Sequence, residues 1–280
     1  MRRVRSVSSA VARRLIPLIA SCIAFAGVAR AAEPVPLSPP AKTALPTGPL
    51  GDSVRYGQSL VTNTRALAAG FVGNGLTCAN CHLDAGRVAY AAPLAGLWGV
   101  FPEYRTRRGS VESLTERIND CFERSMNGKP LPAGSREMIA LLSYIAWLSE
   151  GVPTGVEVRG RGFKEIAVPS PPNPIRGESL YAAKCAACHG AEGQGLQGAD
   201  SAYVFPPLWG AQSFNVGAGM ARVSVAAGFV QAKMPLGNAG TLSDQEAYDI
   251  AAYFTSKPRP DFAARKNDWP RGGVPTDARK

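Results

Sequence analysis

The chain has 280 residues, enough for one large or two ordinary domains, and 31 basic against 21 acidic side chains give it a formal charge of +10. Much of that excess sits in the first 31 residues, where Arg2, Arg3, Arg5, Arg13, Arg14 and Arg30 meet no acid; without this segment the charge is +4. No basic stripe interleaved with aromatics remains, so nucleic acid is excluded as the expected partner.

In chain order, residues 1–31 read as a signal peptide. MRRVRSVSSAVARR is a basic n-region, the following run LIPLIASCIAFAGVA is short for a bilayer span, and Ala29-Arg30-Ala31 offers an A-x-A site. Cleavage near Ala31 and a periplasmic location are expected. The short run argues against an uncleaved anchor, and its continuation past Cys22 argues against a lipoprotein. No stable membrane association is expected. Residues 32–51 form a proline-rich leader, extended and poorly ordered, with six prolines between positions 33 and 50. Residues 52–150 form a first domain, 151–174 a proline-rich linker, 175–257 a second domain, and 258–280 a polar tail expected to lie over the surface.

The two domains repeat one another. Tyr56-Gly57-Gln58-Ser59-Leu60 answers Arg176-Gly177-Glu178-Ser179-Leu180, and Cys78-Ala79-Asn80-Cys81-His82 answers Cys185-Ala186-Ala187-Cys188-His189. Pro93-Leu94-Ala95-Gly96-Leu97-Trp98-Gly99 answers Pro207-Leu208-Trp209-Gly210; Met126 follows the first histidine by 44 residues and Met234 the second by 45. Each segment closes with a helix. Ser135 caps a run with Met138, Leu141, Leu142, Ile145 and Leu148 on one face, stopped at Gly151, and Ser243 with Glu246 makes a capping box before a second such run that ends by Pro258. No alternating apolar run predicts a real sheet. The expected fold is mainly α, two small tandem helical domains.

C-x-x-C-H is the attachment signal for c-type haem: two thiols add across the vinyl groups and the histidine reaches the iron. A zinc or redox-active C-x-x-C is the competing reading, but the chain has only two histidines, and each directly follows a C-x-x-C. Two covalently bound haems c are therefore expected on Cys78, Cys81 and His82, and on Cys185, Cys188 and His189. Each domain becomes cytochrome c-like, wrapped around an apolar plate. A backbone carbonyl near Pro93 and one near Pro207 are expected to accept the ring N–H of each histidine and fix its tautomer. With histidine exhausted, the sixth ligand is methionine, cysteine or lysine. In the second domain Met234 stands in the methionine-loop position, beside Lys233; thioether suits ferrous iron and amine ferric iron, although spacing alone reads Lys233 as a solvated charge. In the first domain symmetry nominates Met126. Cys121 is an unpaired thiol that an oxidising compartment would attack unless a metal protected it. From the residues alone, the two sulfurs are evenly balanced.

The run Cys78-Ala79-Asn80-Cys81-His82-Leu83-Asp84-Ala85-Gly86, then Phe101-Pro102-Glu103-Tyr104-Arg105, then Arg117-Ile118-Asn119-Asp120-Cys121-Phe122-Glu123-Arg124-Ser125-Met126-Asn127-Gly128-Lys129-Pro130 closely resembles the dihaem thiosulfate dehydrogenases, over roughly residues 52 to 257. The first domain is also similar to the haem-cysteine subunit of the Sox sulfur-oxidising complex. The resemblance implies His82/Cys121 ligation at the first haem, with Cys121 as catalytic sulfur, and a Lys233/Met234 choice at the second. It implies an oxidoreductase that couples two thiosulfate ions into tetrathionate and passes two electrons to a small periplasmic acceptor such as a cytochrome c; the reverse reaction would use the same groups.

Bringing two dianions together is costly, since each pair of unit charges 4 Å apart repels by about 4 kcal/mol at an effective dielectric near 20. A cationic pocket is thus expected. Arg105, Arg107 and Arg108 precede the cysteine helix, Arg117 and Arg124 lie on it and Lys129 follows, some of them paired with Glu112, Glu116, Asp120 and Glu123. Arg107, Arg124 and Lys129 are the expected oxyanion ligands, and Ser125 a donor to a sulfonate oxygen. Two rivals remain: a dihaem electron-transfer cytochrome without its own substrate, which needs no Cys121, and a Sox-type subunit that loads sulfur onto a carrier protein.

Overall fold

The computed structural model describes residues 33–198 and 202–279; the segment read as a signal peptide lies outside them. Among the described residues no helix is long and apolar enough to cross a membrane.

The first half opens with α1 (Gly48–Thr62), followed by the short turn α2 (Thr64–Leu67) and the first haem motif, whose histidine leads into a turn, α3 (Leu83–Gly86). A hairpin, β1 (Glu103–Arg105) with β2 (Ser110–Glu112), precedes α4 (Leu114–Arg124), which carries Cys121, and α5 (Arg136–Leu148) closes the half. The second half has α6 (Pro174–Lys184), the motif turn α7 (Ala186–His189), a hairpin of β3 (Leu196–Gln197) with β4 (Tyr203–Phe205), then α8 (Val223–Lys233) and α9 (Asp244–Ser256). The two hairpins have strands of two or three residues, too short to show alternation in the sequence.

The helix ends follow from local chemistry. Ser135 accepts from the Met138 N–H, and Ser243 with Glu246 forms the reciprocal capping box. A third box, Ser113 with Glu116, starts the cysteine helix and engages an acid that was a candidate partner for the arginines. The core face of α5 buries Met138, Leu141, Ile145 and Leu148; that of α9 buries Ile250, Tyr253 and Phe254.

The repeated glycine explains how the helices meet. In the first half α1 packs on α5, in the second α6 on α9. A Cβ at Gly57 would collide with the Ala140 carbonyl and the Tyr144 side chain, and one at Gly177 with the Asp249 carbonyl. Each glycine permits a close backbone crossing that sets the helix pair behind its haem site.

The halves are joined through buried amides. Asn215 donates from its backbone to the Arg124 carbonyl (3.1 Å) and from its side chain to Glu123 (2.8 Å), while Asn127 and Asn74 donate to the Ser213 carbonyl at 2.7 and 3.3 Å. The proline-rich connections are more ordered than their composition suggests. Val35 exchanges backbone hydrogen bonds with Glu157 and Arg159 at 2.9 and 2.7 Å, Trp147 Nε1 donates to Ala44 (3.2 Å), and the Ile166 carbonyl accepts from Tyr248. Their few backbone donors find partners on the domains, which is enough to hold them down.

Candidate functional site: two haem sites and an arginine-lined cavity

Around each histidine the two halves use one device. His82 Nδ1 lies 2.5 Å from the Ala92 carbonyl, and His189 Nδ1 lies 2.8 Å from the Pro206 carbonyl, in both cases the residue before the repeated proline. The carbonyl accepts a hydrogen bond from Nδ1–H, which keeps the proton on that nitrogen and leaves Nε2 free to ligate.

Away from the histidines the halves differ. In the first, Cys121 is half-buried on α4, and Arg117, one turn earlier on the same face, donates from Nη1 to its sulfur at 3.2 Å. The His82 ring also reaches that sulfur. Burial pushes Cys78 up to about 11 and Cys81 up to about 12. Burial acts on Cys121 in the same direction, but the Arg117 charge beside its sulfur outweighs it and lowers this thiol below its ordinary value. Cys121 is therefore the sulfur of its cluster suited to be a thiolate. Met126 is only 3% exposed and packs in the hydrophobic core.

Cys121 opens into a cavity lined by six arginines, Arg105, Arg107, Arg108, Arg117, Arg124 and Arg222, with Ser125 on its wall. The carboxylates there are Glu112 and Asp120. Arg108 touches both, at 3.3 and 3.4 Å, and Arg105 lies 3.1 Å from Glu103. Arg107 donates to the Gly217 carbonyl at 2.8 Å, with its guanidinium 5.0 Å from the Trp269 ring. Burial and the nearby Arg124 charge pull Arg107 down to about 10. Arg124 has Nη1 and Nη2 on Asp268, at 2.9 and 2.7 Å. Of the expected substrate-binding residues, Cys121, Arg107, Arg124 and Ser125 are thus brought together.

Lys129 is not, and that expectation is corrected. After α4 the chain turns at Asn127, whose φ is +50°, and Lys129 emerges exposed with its ammonium 5.7 Å from the Phe71 ring. Arg222 and Trp269 line the cavity but come from the second half and the tail, so no local motif announced them.

In the second half the cavity is apolar. Leu208, Phe214, Phe229, Val230, Ile250 and Phe254 wall it, with Cys185, Cys188, His189 and Met234 on its surface. Leu76, Ala79 and Cys81 of the first half also line it, so the first haem motif borders the second haem's space. Lys233 ends α8 beside Met234, half-buried, and burial lowers its ammonium pKa.

Residues 71–154 match the family described as SoxA/TsdA, cytochrome c domain, and residues 172–254 match cytochrome C oxidase, cbb3-type, subunit III. The thiosulfate dehydrogenase of Allochromatium vinosum is 46% identical over 259 residues, 90% of this chain and 96% of its own. That of Psychrobacter arcticus is 46% identical over 86% of this chain and 74% of its own. The chain belongs to the thiosulfate dehydrogenase family. In structure it matches the TsdBA thiosulfate dehydrogenase of Marichromatium purpuratum, as isolated, with a TM-score of 0.79 and 42% identity over 86% of this chain; it spans about half, 54%, of that longer chain.

As a member of this family with two cytochrome c domains, the protein carries two covalently bound c-type haems. Its residues fit them. Each site offers two thiols, a histidine with Nδ1 tied down, and a sulfur: Cys121 in one, Met234 in the other. The haem's acidic groups also have a candidate partner at the second site. Arg259 stacks on Phe214 of the cavity wall at 4.5 Å, and its buried Nε and Nη1 have no hydrogen-bond partner among the described residues.

Proposed function

We propose that this chain is a periplasmic, tetrathionate-forming thiosulfate dehydrogenase that acts at Cys121. The observation that carries this reading is the Cys121 sulfur, held by Arg117 at 3.2 Å and open to a cavity of six arginines. A pure electron carrier has no use for such a cavity. The resemblance of the surrounding sequence to its family supports His82 and Cys121 as the residues that would hold the iron in the first site, and His189 with Met234, or with Lys233 as alternative, in the second.

When bound, the haems supply the one-electron stations that take up the electron pair. The rest is chemistry of this chain's own groups. The arginines neutralise an incoming thiosulfate dianion, Arg107 and Arg117 being closest to the task, and Ser125 offers a hydroxyl to a sulfonate oxygen. The Cys121 thiolate forms a sulfur–sulfur bond to the outer sulfur of thiosulfate, giving a cysteine S-thiosulfonate as two electrons leave. A second thiosulfate attacks that outer sulfur, tetrathionate departs and the Cys121 thiolate returns, as in thiol–disulfide exchange. No proton is consumed, and Arg117 stabilises the thiolate at the start and at the end.

Cys81 of the first motif borders the second cavity, so a haem held by Cys185, Cys188 and His189 would be placed to relay the electrons to a small acceptor such as a cytochrome c. The test is stoichiometric: purified holoprotein, thiosulfate and ferricyanide. Two ferricyanide reduced per tetrathionate formed supports the reading; reduced haems without tetrathionate would return the protein to the electron-carrier class.

A further inference from the structure

The polar stretch after α9 was expected to lie over the surface, yet it builds part of the Cys121 cavity. Pro260 anchors it by accepting from the Val216 N–H (3.0 Å), and a single turn, Ala263–Asn267, then delivers Asp268 and Trp269 to the arginines. The Asp268 side chain is only 6% exposed. Its two oxygens take Nη1 and Nη2 of Arg124 at 2.9 and 2.7 Å, and Arg107 Nε lies 3.8 Å away. The Trp269 N–H donates to the Arg107 carbonyl (2.7 Å), and its ring lies against the Arg107 guanidinium and lines the cavity. Trp269 holds φ at +56°, a region a bulky residue enters only when its surroundings fix it there. The far end is pinned as well: Asp277 binds Arg222 (2.9 Å) and the Ser224 N–H (2.8 Å) at the start of α8.

We propose that Asp268 is a positioning residue of the thiosulfate site and that Trp269 is its tail-borne wall. Arg107 and Arg124 repel each other, and two neighbouring guanidinium groups stay half-buried only with an anion between them. Asp120 reaches only the Nε of Arg124, at 3.6 Å; Asp268 is the anion that faces both arginines, present whether or not substrate is bound. It saturates the fork of Arg124, which becomes a support rather than a substrate ligand, and holds Arg107 in place with part of its fork left for an oxyanion. The cavity is thereby ready for a sulfonate before one arrives, and binding need not reorganise it. This rests on the thiosulfate reading of the cavity.

The test uses full-length holoprotein and begins with wild-type thiosulfate oxidation, because an inactive wild type overturns the underlying reading itself. With wild type active, Asp268→Asn is expected to raise the thiosulfate KM about tenfold while kcat stays within about threefold, as befits loss of a charge-assisted pair that acts on binding. Asp268→Glu should recover most of the loss, and the visible spectra of both haems should not change. A KM at the wild-type value, or equal loss of kcat and KM with no rescue by glutamate, would overturn the proposal. Hydrogen exchange on the wild type needs no variant: the amides of Asp268, Trp269 and Gly272, bonded to the Arg265, Arg107 and Trp269 carbonyls, should already be protected without thiosulfate, and fast exchange there in the free enzyme would overturn it independently.

Discussion

The two halves are one plan with opposite surroundings for the sulfur that follows the haem motif, Cys121 in one and Met234 in the other. Both cross a helix pair at a repeated glycine, and both tie the histidine Nδ1 to the carbonyl before a repeated proline, at 2.5 and 2.8 Å. Yet the first half opens its sulfur into an arginine-lined cavity, whereas the second sets Met234 among Phe229, Val230 and Pro235. A thiolate needs compensating charge and an anion needs a route to it; a thioether needs neither. The difference teaches that one scaffold presents the same histidine device twice, while a few residues around each sulfur give one site a cationic lining and the other an apolar one, the division that the proposed function assigns to sulfur chemistry and electron transfer.

Removing each half's sulfur is the strongest way to break that comparison. Cys121→Gly should lower tetrathionate formation by at least about 10³-fold with both haems attached, because the nucleophile itself is gone. Met234→Gly should cost far less and should shift the potential of the second haem instead; equal losses in the two variants would erase the distinction. Arg117→Met should lower turnover by about 10- to 100-fold, the usual cost of removing a group that supports a ligand, and Arg117→Lys should restore part of it. Stopped-flow oxidation of thiosulfate reads both.

The shared scaffold is tested by stability. Gly57→Ala and Gly177→Ala should each destabilise the holoprotein by about 1–3 kcal/mol in urea titrations, because a methyl at either crossing must push two helices apart. A marked loss at one position and none at the other would contradict the common plan. The smallest effect concerns acid. Burial raises the Asp249 carboxyl, but the Arg176 side chain, the Asn173 N–H and Gln245 outweigh it and hold it below its ordinary value. Its contribution is thus complete above the usual carboxylate pKa of about 4 and is lost as pH falls through the lower folded value. Asp249→Asn should be less stable than wild type at neutral pH, with the gap closing on acidification; a widening gap would refute that attribution.

The parts legible in the sequence are those built locally. C-x-x-C-H, the caps at Ser135 and Ser243, and the repeated Gly57 and Gly177 each act within one turn or one helix crossing, so their spacing carries their meaning. Even the Arg117–Cys121 contact is an i,i+4 pair, hidden in the sequence only because Arg124 lies on the same helix and Arg105, Arg107 and Arg108 just precede it. What was not legible depends on distant chain. Lys129 looked like part of the cluster until the turn at Asn127 carried it to Phe71. Asp268, Trp269 and Arg222 carry no motif, and only the folded tail and α8 bring them to Cys121. Short strands and proline-rich segments escaped for a related reason: they are held by partners elsewhere rather than by their own periodicity.

The central claim is that the Cys121 sulfur itself accepts thiosulfate. Oxidised holoprotein mixed with substoichiometric thiosulfate, so that no second ion is available, then acid-quenched and digested, tests it by mass spectrometry. The account predicts a thiosulfonate adduct on the peptide carrying Cys121, discharged as tetrathionate when more thiosulfate is added. Rapid turnover with Cys121 unmodified, or with the adduct on any other sulfur, would contradict it.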